Sequence, residues 1–146
     1  MKDEKINGVL LTQLKIIDTP GGDVLHGMKL DDPGYSGFGE AYLSTVEKGV
    51  VKGWKRHRQM TLNLVVPVGS IRFVIYDNRG GSPTCEKFQE VTLSKCNYKR
   101  LTIPPMVWIA FQGVGDVENM LLNIASIRHE PNEADRKSLE EIAFIW

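Results

Sequence analysis

Residues Gly49–Gly69 read GVVKGWKRHRQMTLNLVVPVG, and this stretch decides the fold. The pattern predicts two strands separated by a turn at Lys52–Gly53, the second strand being longer and extending to Pro67. Side chains alternate between the two faces of a strand. One face of the longer strand is therefore apolar, and the other carries Lys55, His57, Gln59, Thr61 and Asn63. We expect this polar face to line a cavity, with His57 at its centre.

Other segments show the same pattern of short strands between turns that contain Gly or Pro. They lie at residues 9–17, 23–30, 38–46, 71–76, 90–93, 99–103, 107–111 and 119–127. Only Glu133–Ile142 is predicted to form a helix, and a short one. Many short strands at regular spacing predict an antiparallel sandwich or barrel, which can hold one small ligand inside. Since no linker, repeat or low-complexity segment divides the chain, we expect a single domain over residues 1–146.

The charge of the chain argues against several classes of partner. Its 18 acidic and 18 basic residues give a formal net charge of zero, so neither nucleic acid nor a membrane surface is an expected partner. The opening MKDEKINGVLL is not a secretory signal, and no apolar run is long enough to span a bilayer. Cys85 and Cys96 lack the spacing of a zinc or redox site. We therefore expect reduced cysteines and a cytoplasmic location.

Five segments of the chain occur in an informative order. They read GVLLTQLKIIDTPGGDVLHGMK from Gly8, FGEAYLSTVEKGVVKGW from Phe38, MTLNLVVPVGSIRFVIYDNR from Met60, IPPMVW from Ile103 and IRHEPNEADR from Ile127. Together they resemble the dTDP-4-dehydrorhamnose 3,5-epimerase family. The resemblance implies an all-β cupin fold, a double-stranded β-helix jelly roll, assembled as a homodimer. It also implies a nucleoside-diphosphate 4-keto-6-deoxyhexose substrate, dTDP-linked, used in surface-polysaccharide or deoxysugar biosynthesis.

The same resemblance implies the chemistry. A histidine removes the proton next to the keto group, and a tyrosine or another acid returns a proton on the opposite face, with no metal or organic cofactor. His57 matches the base, whereas relatives that read GWHxH have histidine where this chain has Lys55. Imidazole titrates near neutrality, and a neighbouring ammonium would keep it neutral and could stabilise an enolate. We therefore assign His57 as the base and Lys55 as its electrostatic helper.

The group that returns the proton has no direct counterpart in this sequence. The tyrosine of the better-known epimerases falls near Arg128–His129, where this chain has none. His129 shares the parity of Asn123 along the last predicted strand and is our candidate acid. Tyr42 and Tyr76 are alternative acids.

Further polar residues are candidates for contacts with sugar or phosphate oxygens: Gln59, Asn63, Arg72, Lys52 and Asn123. A metal site is not expected. The histidines His26, His57 and His129 lie far apart in sequence, and a protonated lysine at position 55 is a poor ligand.

Two other functions remain open. A sugar-nucleotide 3,4-ketoisomerase uses the same proton chemistry on a cupin fold. A catalytically silent barrel that binds a nucleotide sugar would need no working base or acid.

Overall fold

The computed structural model of the protein describes residues 4–146, so the first three residues of the amino-terminal segment lie outside it. Twelve strands form its architecture. They are β1 Leu10–Gln13, β2 Ile16–Thr19, β3 Gly22–Leu25, β4 Glu40–Thr45, β5 Val51–His57, β6 Leu62–Val68, β7 Ser70–Asp77, β8 Lys87–Ser94, β9 Lys99–Ile103, β10 Trp108–Gly113, β11 Met120–Ala125 and β12 Ala134–Arg136. A single 3₁₀ turn at Pro131–Glu133 precedes β12.

The strands form two five-stranded antiparallel sheets and a separate hairpin. Sheet I has the order β1-β9-β6-β11-β4, sheet II has the order β12-β5-β10-β7-β8, and β2 pairs only with β3. Most strands that are consecutive in the sequence, such as β4 and β5, belong to opposite sheets, whereas β7 and β8 pair with each other in sheet II. The predicted antiparallel all-β architecture is confirmed.

The main core lies between the two sheets. Alternate residues of β7, namely Ile71, Phe73 and Ile75, are fully buried there against Leu62 and Leu64 of β6. This is the period-two pattern expected of strands that bury one face. Apolar burial of this kind is the main stabilising contribution to such a sandwich.

The outer face of sheet II is covered by the last residues of the chain. Trp54 and Trp108 are buried there under Ile142, with Leu139, Phe144 and Trp146 packed around them. Residues 139–146 are called the C-terminal cover below. The predicted helix over Glu133–Ile142 is wrong. Its first part forms β12 along β5, and the backbones of Trp54 and Lys137 exchange two hydrogen bonds. Strand pairing and the burial of two tryptophans outweigh a weak helix propensity.

The predicted turn at Lys52–Gly53 is also wrong, because β5 runs through it without a break. A Cβ on Gly53 would lie 2.9 Å from the Cα of Ala110, so glycine here permits the close approach of β5 to β10. The chain bends instead at Arg58–Gln59, where it leaves sheet II for sheet I.

The described part of the chain contains no helix with the length and apolar character needed to cross a bilayer. Both cysteines, Cys85 and Cys96, are free thiols.

Candidate active site

A cavity of about 360 Å³ opens between the two sheets. Its floor is apolar and is formed by Leu62, Leu64, Ile109, Phe111 and Leu121. Its polar wall and mouth are formed by Tyr42, Ser44, Lys52, Lys55, His57, Asn123, Arg136 and Lys137, beside Gly53 and Trp54. An apolar floor with a few convergent polar groups is typical of a site for a small ligand.

His57 is the last residue of β5 and lines this cavity, with 6% of its surface exposed. Its Nδ1 atom is hydrogen-bonded to the Oε1 atom of Glu133, which is equally buried. In the neutral imidazole, a carboxylate partner places the hydrogen on Nδ1 and leaves the lone pair on Nε2. His57 is therefore oriented as a proton acceptor.

Glu133 also holds the bend that follows β5. Its Oε2 atom accepts hydrogen bonds from the backbone amides of Arg58, Gln59 and Met60, at 3.2, 3.2 and 3.3 Å. Burial acts to raise the pKa of Glu133, but hydrogen bonds from His57 and from the Gln59 and Met60 amides hold it below its usual range. The carboxylate is thus ionised at neutral pH and fixes both the imidazole and the bend.

Burial favours the neutral form of His57. Burial lowers the pKa of His57 below its usual value of 6.5, and the positive charges of Lys55 and Arg136 lower it further, while Glu133 acts in the opposite direction. Burial also lowers the pKa of Lys55, helped by the charge of Arg136. A neutral imidazole beside a cation can take a proton and leave a positive charge near the developing anion.

Lys52, Lys55, Arg136 and Lys137 contribute to the lining of the cavity, and no aspartate or glutamate among residues 4–146 does. Lys52 Nζ donates a hydrogen bond of 2.8 Å to the carbonyl oxygen of Thr45. Lys137 Nζ lies 5.4 Å from the ring centroid of Trp108, on the outer face of sheet II, so the positive charge at the cavity comes from Lys52, Lys55 and Arg136. This surplus of positive charge suits an anionic ligand.

The wall opposite His57 carries a phenol. Tyr42 lies on β4 of sheet I, and its neighbour in register on β11 is Asn123. The Nδ2 atom of Asn123 donates a hydrogen bond of 3.0 Å to the Tyr42 hydroxyl. Both side chains line the cavity, so a hydroxyl faces it from one sheet and an imidazole from the other.

Several predicted residues line the cavity: His57, Lys55, Lys52 and Asn123. Others do not. The His129 side chain is exposed, and its backbone amide donates to Glu40 Oε1 at 2.9 Å. Arg72 forms a salt bridge with Glu90 and lies beside the rings of Phe144 and Trp146 of the C-terminal cover, away from the cavity.

Gln59 and Asn63 were predicted to share a face with His57, and this prediction is wrong. Gln59 is exposed at the bend, and Asn63 is buried on the other face of sheet I. The Asn63 amide donates to the carbonyl oxygen of Gly34 at 3.0 Å, and its Oδ1 atom accepts from Thr102 Oγ1 at 2.6 Å. The bend interrupts the alternation, so that Leu62, not Asn63, faces the cavity.

Sequence reasoning missed Glu133, Arg136 and Lys137. All three fall in the segment predicted as a helix, and Glu133 lies 76 positions from His57. No spacing in the sequence connects them. Residues 133–137 read EADRK and show no apolar alternation, so nothing in this segment indicated a strand.

Comparison with known proteins identifies the family of the chain. The sequence pattern of the family described as dTDP-4-dehydrorhamnose 3,5-epimerase matches residues 4–140. The chain belongs to the dTDP-4-dehydrorhamnose 3,5-epimerase family. The predicted family is therefore confirmed.

Solved structures agree with this placement. The crystal structure of a dTDP sugar isomerase from Desulfovibrio desulfuricans is 42% identical, with a TM-score of 0.93, and the match covers 97% of this chain and 92% of that one. The structure of ChmJ, a 3′-monoepimerase of Streptomyces bikiniensis in complex with dTDP-quinovose, has a TM-score of 0.86 at 17% identity, covering 100% and 78%. At that identity the likeness shows the fold, and the predicted cupin-type fold is confirmed.

Two curated relatives belong to glycan synthesis. The probable low-salt glycan biosynthesis epimerase of Haloferax volcanii is 29% identical over 100 residues, which are 68% of this chain and 64% of that protein. The match thus spans less than two thirds of that relative. The spore coat polysaccharide biosynthesis protein SpsL of Bacillus subtilis is 26% identical, covering 75% of each chain.

Among residues 4–146, no group of three or more His, Cys, Asp or Glu side chains is placed to hold a metal ion. The expected metal-free and cofactor-free reaction remains a prediction.

Proposed function

We propose that the protein is a sugar-nucleotide epimerase that acts on a nucleoside-diphosphate 4-keto-6-deoxyhexose, with His57 as the general base. The observation that supports this most is the buried imidazole of His57, fixed through Nδ1 by Glu133 on the wall of a cationic cavity. A base with a pKa near the working pH is what proton abstraction beside a ketone requires.

The first step follows from this arrangement. His57 Nε2 takes the proton from the carbon next to the ketone, and the C–H electron pair moves to form an enolate. The Lys55 ammonium lies on the same strand and face, and it would stabilise the charge that develops on the carbonyl oxygen. Glu133 would stabilise the imidazolium that forms, as a carboxylate does in other histidine-based sites.

The charge and shape of the cavity support this substrate class. Lys52 and Arg136 line the cavity together with Lys55, and their positive charges would attract a diphosphate. The apolar floor suits the methyl group of a 6-deoxy sugar better than a hydroxymethyl group. A dTDP-linked sugar destined for polysaccharide or deoxysugar biosynthesis agrees with the family and with the curated relatives.

Solvent deuterium uptake tests the proposal. Wild-type protein in D₂O with dTDP-4-keto-6-deoxyglucose should incorporate deuterium beside the ketone, and His57→Asn should lower the rate by about 10²–10⁴-fold. The matched control is His26→Asn, since the His26 side chain neither lines the cavity nor forms a hydrogen bond within the described residues. Uptake should be unchanged in this control.

The silent barrel predicts a different result. In that case the wild-type protein would bind the nucleotide sugar by calorimetry and show no deuterium uptake. Uptake that survives in His57→Asn would remove His57 from the reaction.

The homodimer and the cytoplasmic location remain proposals. Exposed apolar side chains that a second copy could cover lie on the β2–β3 hairpin and near β4, at Ile17, Val24, Phe38 and Leu43. Sedimentation equilibrium would give the mass of the assembly.

A further inference from the structure

We infer that Tyr42 is the proton donor of the reaction, acting from the wall opposite His57, and that the enzyme therefore inverts a carbon centre and does not move the carbonyl. This inference rests on the proposed function, since it needs His57 as the base. Tyr42 lies on β4, and from the sequence it was only an alternative candidate for the acid.

The topology puts the two groups on facing walls. β4 is an edge strand of sheet I and β5 lies in sheet II, although the two strands are consecutive in the chain. Tyr42 and His57 both line the cavity between these sheets. A sugar ring held there would present one face to each.

Hydrogen bonds fix which way the phenol can act. The backbone amide of Asn63 donates to Asn123 Oδ1 at 3.2 Å, so the Nδ2 atom of Asn123 points the other way. That Nδ2 donates to the Tyr42 oxygen at 3.0 Å. Because the phenol oxygen accepts this bond, its own hydrogen is free to be donated to a ligand.

Other candidate acids are less suited. Ser44 lines the cavity beside Tyr42, but an aliphatic hydroxyl is a much weaker acid than a phenol. The Tyr76 ring is stacked on Phe88, with centroids 4.5 Å apart, and does not line the cavity. His129 is exposed, and it too is absent from the cavity wall.

The second step is protonation of the enolate. The enolate carbon takes the phenolic proton of Tyr42 on the face away from His57, a new C–H bond forms, and the carbonyl is restored. This leaves a phenolate at Tyr42 and an imidazolium at His57. Exchange of one proton each with solvent, lost by His57 and gained by Tyr42, restores the resting enzyme.

Two facing proton-transfer groups distinguish epimerisation from ketoisomerisation. Inverting a centre requires removal of a proton from one face and delivery to the other. Moving a carbonyl to the next carbon can be completed by a single base on one face. A donor opposite the base is needed only in the first reaction.

The test is Tyr42→Phe, which removes one oxygen from a side chain that is 38% exposed and should leave the fold intact. With dTDP-4-keto-6-deoxyglucose in D₂O, we expect deuterium uptake to remain within a few-fold of wild type. Formation of the inverted product, followed by NMR, should fall by about 10²–10⁴-fold. Exchange without inversion arises because His57 returns the deuteron to the face from which it took the proton.

The controls separate this inference from the proposed function. His57→Asn should lose both uptake and inversion, and if it keeps uptake the proposed function fails whatever Tyr42 does. Tyr42→Phe with unchanged inversion would overturn the inference alone, as would loss of inversion in His129→Asn. A wild-type product with a moved carbonyl would also overturn it.

Discussion

At the scale of single residues, the imidazole of His57 is governed by opposing influences. Burial and the charges of Lys55 and Arg136 favour its neutral form, and Glu133 favours its protonated form. The net pKa lies below 6.5, so the base is ready at neutral pH without prior loss of a proton.

This balance predicts the pH dependence of the reaction. The acid limb of kcat/KM for wild type should have its inflection below pH 6.5, because protonated His57 cannot accept a proton. Lys55→Met removes a charge that lowers the pKa of His57, so the inflection should move upward. Profiles of kcat/KM from pH 5 to 9 would show it. An unchanged or lower inflection in Lys55→Met would contradict the prediction.

At the scale of elements, the decisive feature is the bend between β5 and β6. Here the chain passes from sheet II to sheet I, and three successive backbone amides turn toward Glu133. The same carboxylate holds His57, so the position of the base and the geometry of the bend depend on one side chain. The Met60 amide is buried, and without its acceptor it would cost stability.

We therefore predict that Glu133→Ala destabilises the protein by about 3 kcal/mol at pH 7, because the buried His57 ring and the buried Met60 amide lose their acceptor. The pKa of Glu133 is lower in the folded state than its usual 4.5, so its contribution is present above pH 4.5 and is lost as the pH falls through the folded-state value. Urea denaturation of both proteins should thus give unfolding curves that converge in acid.

The control for this prediction is Glu130→Ala, which removes an exposed carboxylate with no hydrogen bond from any described residue. Its free energy of unfolding should stay within about 0.5 kcal/mol of wild type. A difference between Glu133→Ala and wild type that does not shrink in acid would exclude the charged carboxylate as the cause.

The bend also limits which site residues can be predicted from the sequence. Alternation within β5 correctly puts Lys55 and His57 on one face, because residues two apart in one strand point the same way. Alternation cannot be carried from His57 to Asn63, because the bend intervenes and local residues do not encode it. Long-range pairing creates the bend, through the carboxylate of Glu133 at the end of the 3₁₀ turn that precedes β12.

The strands themselves were predictable where β-branched and aromatic residues cluster. β9 has the predicted bounds, and β7 exceeds the prediction by one residue at each end. The segment after Pro131 was not predictable in this way. Its composition is compatible with a helix. It forms a strand because it pairs with the edge of β5, and the residues that follow bury Trp54 and Trp108.

At the scale of the whole molecule, the C-terminal cover ties the end of the described chain to the back of the active-site sheet. Ile142 is 5% exposed and lies on Trp54 and Trp108, whose strands also carry cavity residues. Arg136 and Lys137 lie immediately before the cover, at the cavity wall.

This packing predicts that Ile142→Ala lowers the free energy of unfolding by about 2–4 kcal/mol, since a buried side chain is truncated. Ile145→Ala is a matched control, because Ile145 is 91% exposed and its truncation should cost less than about 0.5 kcal/mol. Thermal and urea denaturation would compare the two variants. Equal effects would show that the cover does not pack as described.

The same cover has a practical consequence for spectroscopy. All three tryptophans of the chain, Trp54, Trp108 and Trp146, belong to this one cluster, and the rings of Trp54 and Trp146 are 6.0 Å apart. The intrinsic tryptophan fluorescence of the protein therefore reports on this one cluster. It would report detachment of the cover from the outer face of sheet II. Melting of the β2–β3 hairpin would leave the emission unchanged.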